Sequence, residues 1–242
     1  MKICARILTV VWFFACSCDS PDAPDLFKNT GPVTQEEIIM PPFEGITAYD
    51  NLDIYLANAA EQKIVIEAGR NLIPKIRFTV KDSILYIHND NKDNWLRQTG
   101  NPVIRIGSNS VKNINIYGYN NVITPDTLVF SSLAIFSDGT GDVRIRASGD
   151  SLRVNSTFVS NFYLSGQTKY LSVSLTYDSQ FHGSTLCAGN VVIDHSGSNE
   201  VEVFPEFSLL GSLSGTGNLY YYHNPYEIEM KISGTGKLVQ RF

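Results

Sequence analysis

Gly139-Thr140-Gly141-Asp142-Val143, Gly215-Thr216-Gly217-Asn218-Leu219 and Gly234-Thr235-Gly236-Lys237-Leu238 are three copies of one phrase, a turn of small residues running into an apolar position. Three looser copies lie between the first and second of them: Phe158-Val159-Ser160-Asn161-Phe162, Tyr177-Asp178-Ser179-Gln180-Phe181 and Gly197-Ser198-Asn199-Glu200-Val201. The six recur every 18 to 20 residues. A repeat of this length, with β-type alternation and no helical stripe, suits a chain whose every coil must stack on its neighbour to bury an inner face. The fold class is therefore read as all-β: a single-stranded parallel β-helix (β-solenoid) with coils of about 19 residues.

The alternation assigns faces. If Val143, Phe162, Phe181, Val201, Leu219 and Leu238 point inward, the residues two further on do so too, because side chains alternate along a strand. Those are Ile145, Leu164, Gly183, Val203, Tyr221 and Gln240, apolar in four of six. Gly183 implies a gap or a close approach, and Gln240 an open end. The residues between, Arg144, Tyr163, His182, Glu202, Tyr220 and Val239, face out. Glycine at the first and third turn positions is read as the residue for a corner with positive φ. Corners lacking it, Phe158-Val159-Ser160 and Tyr177-Asp178-Ser179, are expected to be wider. The segment from Lys237 to Phe242 is more polar, as suits the last coil of a stack.

Upstream, short runs rich in Ile, Val, Leu and Tyr predict strands over Gly45 to Tyr49, Leu52 to Leu56, Lys63 to Ala68, Lys75 to Val80, Ile84 to His88, Val103 to Ile106 and Ile114 to Tyr117. Asn89-Asp90-Asn91-Lys92-Asp93-Asn94, continued to Gly100, reads as a polar loop.

The amino terminus is an address label. Lys2 and Arg6 precede an apolar run, Ile7 to Ala15, too short to span a bilayer, so residues 1–17 read as a signal peptide. Ala15-Cys16-Ser17-Cys18 looks like a bacterial lipobox, with Cys18 the expected lipidated residue and Cys16 the weaker candidate. Residues 18–42, rich in Pro, Asp and Asn, are then a lipidated flexible tether, and 43–242 the solenoid domain. Cleavage leaves 17 of the 19 basic side chains against 24 acidic ones. A mildly acidic chain without a basic patch argues against nucleic acid as partner. Cys187 alone remains as a thiol in the mature chain, so no disulfide is expected, and it reads as a small apolar wall residue.

Cleavage of polysaccharide needs two carboxylates at a set separation, or carboxylates holding Ca²⁺ beside a base. The nearest grouping in sequence is His182-Gly183 with Asp194-His195 and Asp178, on uniform short coils that offer no long loops to wall a cleft. Asp138, Asp142, Asp150 and Asp178 lack the nine-residue recurrence of calcium-binding β-helix repeats. His88, His182, His195 and His223 have no zinc spacing, and Gly-Thr-Gly is not a phosphate loop. No metal and no cofactor is expected. Tyrosines are the better lead: Tyr117, Tyr119, Tyr163, Tyr170, Tyr220, Tyr222 and Tyr226 include several placed outside, where they either ladder with neighbours or bind sugar and protein surfaces. The last two full coils, around Tyr220, Tyr222 and His223, are the candidate binding surface.

The chain resembles the auto-transporter adhesin, head-GIN domain proteins, small exported proteins of bacteria. The resemblance runs from about Phe43 to Val239. It rests on Ile64-Val65-Ile66, Ile84-Leu85-Tyr86-Ile87, Pro102-Val103-Ile104 and the run Leu210-Gly211-Ser212-Leu213-Ser214-Gly215-Thr216-Gly217-Asn218-Leu219. It implies a parallel β-helix-like fold and no catalytic residues. The expected protein is a lipid-anchored envelope protein, an outer-membrane lipoprotein that faces the periplasm or the surface, acting as a non-catalytic, adhesin-like module for glycan or another envelope protein. Its alternatives are a polysaccharide-directed hydrolase or lyase and a purely structural spacer.

Overall fold

A computed structural model of the protein describes residues 30–91 and 100–241. The segment expected as a signal peptide, Cys18 and most of the polar loop expected before Gly100 lie outside the described residues. In chain order the strands are β1 (Val33–Ile38), β2 (Gly45–Ala48), β3 (Asp53–Ala57), β4 (Lys63–Gly69), β5 (Ile76–Lys81), β6 (Ile84–Asn89), β7 (Val103–Gly107) and β8 (Asn113–Tyr119). Then come β9 (Asn121–Ser156), β10 (Val159–Leu175), β11 (Gln180–His195), β12 (Val201–Leu213), β13 (Leu219–Tyr221), β14 (Glu227–Ile232) and β15 (Leu238–Gln240). Each upstream run predicted from sequence is a strand within two residues of its expected ends. From β9 onward the chain is nearly continuous strand: it runs unbroken through the first turn phrase and is interrupted at the later ones and at residues 222–226.

The expected column is present. Val143, Phe162, Phe181, Val201, Leu219 and Leu238 lie in one parallel register, coil on coil. All but the terminal Leu238 are buried. Each coil has a second arm after a second corner, where Leu152, Leu171, Val191, Leu209 and Ile228 form one inner column and Val154, Val173, Ile193, Gly211 and Met230 another. Between the arms lies one apolar core that runs the length of the stack. Gly183 is a close approach: a Cβ there would meet the ring of Phe181 and, 2.9 Å away, the carbonyl oxygen of Glu202.

The corner glycines serve proximity rather than unusual dihedrals. Of the phrase glycines only Gly141, at φ +133, has the left-handed backbone that sequence reasoning assigned to them all. Thr216 and Gly217 N–H both donate to Gly197 O at 3.1 Å, and Thr235 and Gly236 N–H donate to Gly215 O at 3.1 and 3.2 Å. A Cβ on Gly215 or Gly234 would fall on the carbonyl beneath it. Where glycine is absent, the corner is closed by buried hydroxyls instead. Ser160 Oγ lies 2.7 Å from Ser137 Oγ, and Ser179 Oγ 2.7 Å from Ser156 Oγ. Ser160 also donates to Gly139 O (3.0 Å) and Ser179 to Phe158 O (2.9 Å). Each buried hydroxyl is thereby partnered, as it must be to avoid a desolvation penalty.

The amino-terminal end departs from the simple stack. The first rung in sequence, β2–β3, sits inside it: β2 pairs with both β6 and β8, and β3 with both β7 and β9, all parallel. Beyond that rung the pairing turns antiparallel, β5 on β6 on one arm and β7, β4 and β1 in succession on the other. Part of the span expected as a flexible tether, 18–42, is ordered. Val33–Ile38 is a strand on β4, tied by Lys63 to Glu37 (2.7 Å), with Ile38 packed on the core. The neighbouring Pro and Asp residues masked a strand whose partner lies some thirty residues on.

Candidate binding groove

The first arm carries its outward row as a chain of contacts. Arg144 lies over the ring of Tyr163 (4.0 Å), Tyr163 stacks on His182 (4.8 Å, 12°), and His182 Nδ1 is 3.5 Å from Glu202. Tyr222 then donates to Glu202 at 3.0 Å. Tyr220 lies in the same outward register, yet it is only 8% exposed, because Arg241 covers its ring at 3.4 Å and its hydroxyl donates to Glu200 at 3.0 Å. His223 stacks on Phe204 (5.3 Å), and its Nδ1–H donates to Pro205 O at 2.9 Å. Tyr220, Tyr222 and His223 are thus close together, with their rings and polar tips engaged by adjacent coils. At the amino-terminal end His88, Tyr49 and Tyr117 form a similar stack.

The four candidate groups for catalysis do not converge. His182 is in the outward row of the first arm. His195, at the far end of the second, is buried in the interior, with Nε2–H donating to Asn199 O at 2.8 Å. Asp194 faces out beside it and accepts from Ser212 (2.7 Å), while Asp178 sits at the turn and accepts from Ser198. Burial pushes the His195 imidazole below its ordinary value, against the opposing pull of the Asn199 and Leu175 carbonyls. Among the described residues, no three His, Cys, Asp or Glu side chains gather as a metal site.

A concavity with exposed aromatic sides lies at the second corner, on the side of the coil away from the turn phrases; another, of about 520 Å³, lies at the turn phrases between Tyr177 and Thr216. At the second corner a groove of about 670 Å³ runs across the coils between Val129 and Phe207. Its shape comes from the alternation of aromatic and glycine at one coil period: the Phe130 ring lies across Gly149, and the Phe207 ring across Gly189. Tyr170 and Phe207 stand 58% and 53% exposed at its sides, and Tyr226, 91% exposed, stacks on Phe207 at 6.3 Å and 7°. Between them lie the polar side chains of Gln167, Asn190 and Glu206. Lys169 spans to Asp150 (2.7 Å), and Asn190 Oδ1 accepts from Ser208 (2.9 Å). Cys187 is on the floor with Sγ 3.6 Å from Glu206, and burial first, then that carboxylate, pushes its thiol pKa up, away from reactivity.

Tyr170 and Tyr226 are among the seven tyrosines that the sequence singles out, several of them outward, but the groove itself is not legible there. Its trace is Phe130 one period before Gly149, and Gly189 one period before Phe207. A ring and a glycine one coil apart carry no local pattern, whereas the repeated glycines of the first corner do.

Fold and surface together define a β-solenoid whose outer rows are laddered and whose second corner is grooved. Residues 42–225 match the family model described as "Putative auto-transporter adhesin, head GIN domain", and the chain belongs to that family. Among solved structures it resembles a "putative adhesin" from Bacteroides fragilis (22% identity, TM-score 0.81, covering 87% of this chain and 97% of that one). It also resembles a "putative lipid binding protein" from Parabacteroides distasonis (17% identity, TM-score 0.64, covering 88% and 98%). A "putative adhesin" from Parabacteroides merdae is similar too (16% identity, TM-score 0.62, covering 88% and 97%). No curated protein matches the chain. Among the described residues no helix is long and apolar enough to cross a membrane.

Proposed function

We propose that the protein is a lipid-anchored component of the bacterial cell envelope, held through Cys18, whose solenoid is a non-catalytic binding module for glycan. Family membership and the exported lead support an envelope location. The observation that carries the reading is the groove, in which exposed Tyr170 and Phe207 flank Gln167, Asn190 and Glu206. Aromatic faces pack against the C–H faces of sugar rings, while amide and carboxylate groups take the hydroxyls. Asp150 is paired with Lys169, and Glu206 lies against Cys187, which favours holding a saccharide over cleaving it.

The test is a glycan array with the soluble chain, run beside a pull-down from envelope extract. The chain must begin no later than residue 30, because β1 is part of the fold. Tyr170→Ser and Phe207→Ser are each expected to weaken a positive signal about three- to tenfold, the loss of one aromatic contact, while Tyr222→Ser leaves it unchanged. Groove variants that bind as the wild type, or a blank array with an envelope protein in the pull-down, would refute the glycan reading.

A further inference from the structure

The groove has a period of its own. Five successive coils reach it at the second corner, in the order Phe130, Gly149, Tyr170, Gly189 and Phe207, so ring and glycine alternate from coil to coil. A Cβ on Gly149 would strike the Phe130 ring, and one on Gly189 would lie 2.8 Å from the Lys169 carbonyl oxygen and against the Phe207 ring. At Gly189 the pairing also slips. Ala188 is opposite Pro205 and Asn190 opposite Ser208, so one residue of β11 faces two of β12, Glu206 and Phe207. Such a bulge re-aims side chains, and Phe207 is about as exposed as Tyr170 two coils before it. Phe130 is packed on the core, which leaves Tyr170 and Phe207 as the two free faces.

Two coil steps cover about 10 Å at the ordinary strand spacing, the length of two pyranose rings joined through equatorial bonds. In such a chain each ring is turned over relative to the last, so every second ring offers the same face in the same direction. Chains linked through axial bonds curl and lose that register. Laid along the stack, an extended chain sets one ring on Tyr170 and the next but one on Phe207. Asn190, whose Oδ1 accepts from Ser208, keeps its amide N–H groups for the ring between them. From the coil of Phe130 to that of Phe207 is four steps, about 19 Å, room for four to five rings.

Charge narrows the class. The groove is lined by Asp150, Lys169 and Glu206. Lys169 is tied to Asp150, while Glu206 has the uncharged Cys187 thiol beside it, so a negative charge is left over that repels uronate. Resting on the glycan reading above, we propose that the ligand is an uncharged, equatorially linked polysaccharide bound lengthwise along the stack, with alternate sugars on Tyr170 and Phe207.

Titration calorimetry of the full chain with β-1,4-linked glucose and N-acetylglucosamine oligomers of two to seven units tests this, with α-1,4-linked glucose oligomers and an oligouronate alongside. At least one β-1,4 series is expected to bind. Its trimer, the shortest chain to reach both rings, should bind about three- to tenfold tighter than its dimer, and affinity should stop rising at about five units. Tyr170→Ser and Phe207→Ser, each with its fold confirmed by circular dichroism, should abolish the step from dimer to trimer while the dimer, which needs one ring, still binds. Equal affinity at every length, a step that survives both substitutions, or α-1,4 or uronate chains bound as tightly would overturn the proposal and leave a glycan site standing. So would a failure of both β-1,4 series beside a positive glycan array, whereas a protein that binds no saccharide on the array loses the glycan reading as well.

Discussion

Replacing Gly215 by alanine isolates the interaction that sets the coil spacing at the turn corner. Gly197 O accepts two amides from the coil above, Thr216 N–H and Gly217 N–H, both at 3.1 Å, and a methyl on Gly215 would occupy the space of that oxygen. The obstacle is backbone, so no rotamer change relieves it. Lifting the corner weakens both hydrogen bonds, at about 0.5–1.5 kcal/mol each, and displaces packed backbone at a further 1–3 kcal/mol. The stiffer unfolded chain offsets about 0.4–1 kcal/mol of this. The net expectation is a loss of about 2–4 kcal/mol. Urea denaturation followed by far-ultraviolet circular dichroism measures it, and hydrogen exchange at Thr216, Gly217 and Leu219 shows whether the loss begins at this corner. Gly100, whose Cβ would meet nothing within 4 Å, is the control, and Gly100→Ala should be neutral. If Gly215→Ala unfolds within 0.5 kcal/mol of the wild type, close approach is not what fixes glycine at the corner.

Two further expectations concern the buried corner. His195 has its pKa lowered by burial, so as pH falls below the ordinary imidazole value of about 6.5 the unfolded chain takes up the proton first. Stability should therefore drop from pH 7 toward pH 5. His195→Leu, matching Leu175 and Leu213 above and below it in the column, should flatten that dependence in thermal melts; equal slopes in both proteins would contradict it. Ser156→Ala and Ser179→Ala should each cost roughly 1–2 kcal/mol by leaving a buried hydroxyl short of a partner. The double variant should cost less than the two singles together, and strict additivity in a denaturation cycle would show that the hydroxyls are not coupled.

Much of the architecture was legible in one dimension because a stacked coil is nearly a one-dimensional object. A period of 18 to 20 residues fixes which side chains share a column, and two-residue alternation fixes which face they take, so the Val143-to-Leu238 column could be named residue by residue. Local composition equally marked the upstream strands. Partners and space were another matter. That β2–β3 sits inside the stack, and that Val33–Ile38 is a strand within what composition reads as a tether, depend on pairings across tens of residues that leave no periodic trace. The corner glycines were legible as necessary, but only the packed coils show that the necessity is a carbonyl in the way. Tyr220 is outward by alternation and covered by Arg241 all the same, while the groove exists only once rings and glycines one coil apart are brought side by side. Sequence determined the repeat and its inner face, since both follow from backbone geometry within one coil. Exposure, concavity and the open end arise between coils, and only the tertiary structure decided them.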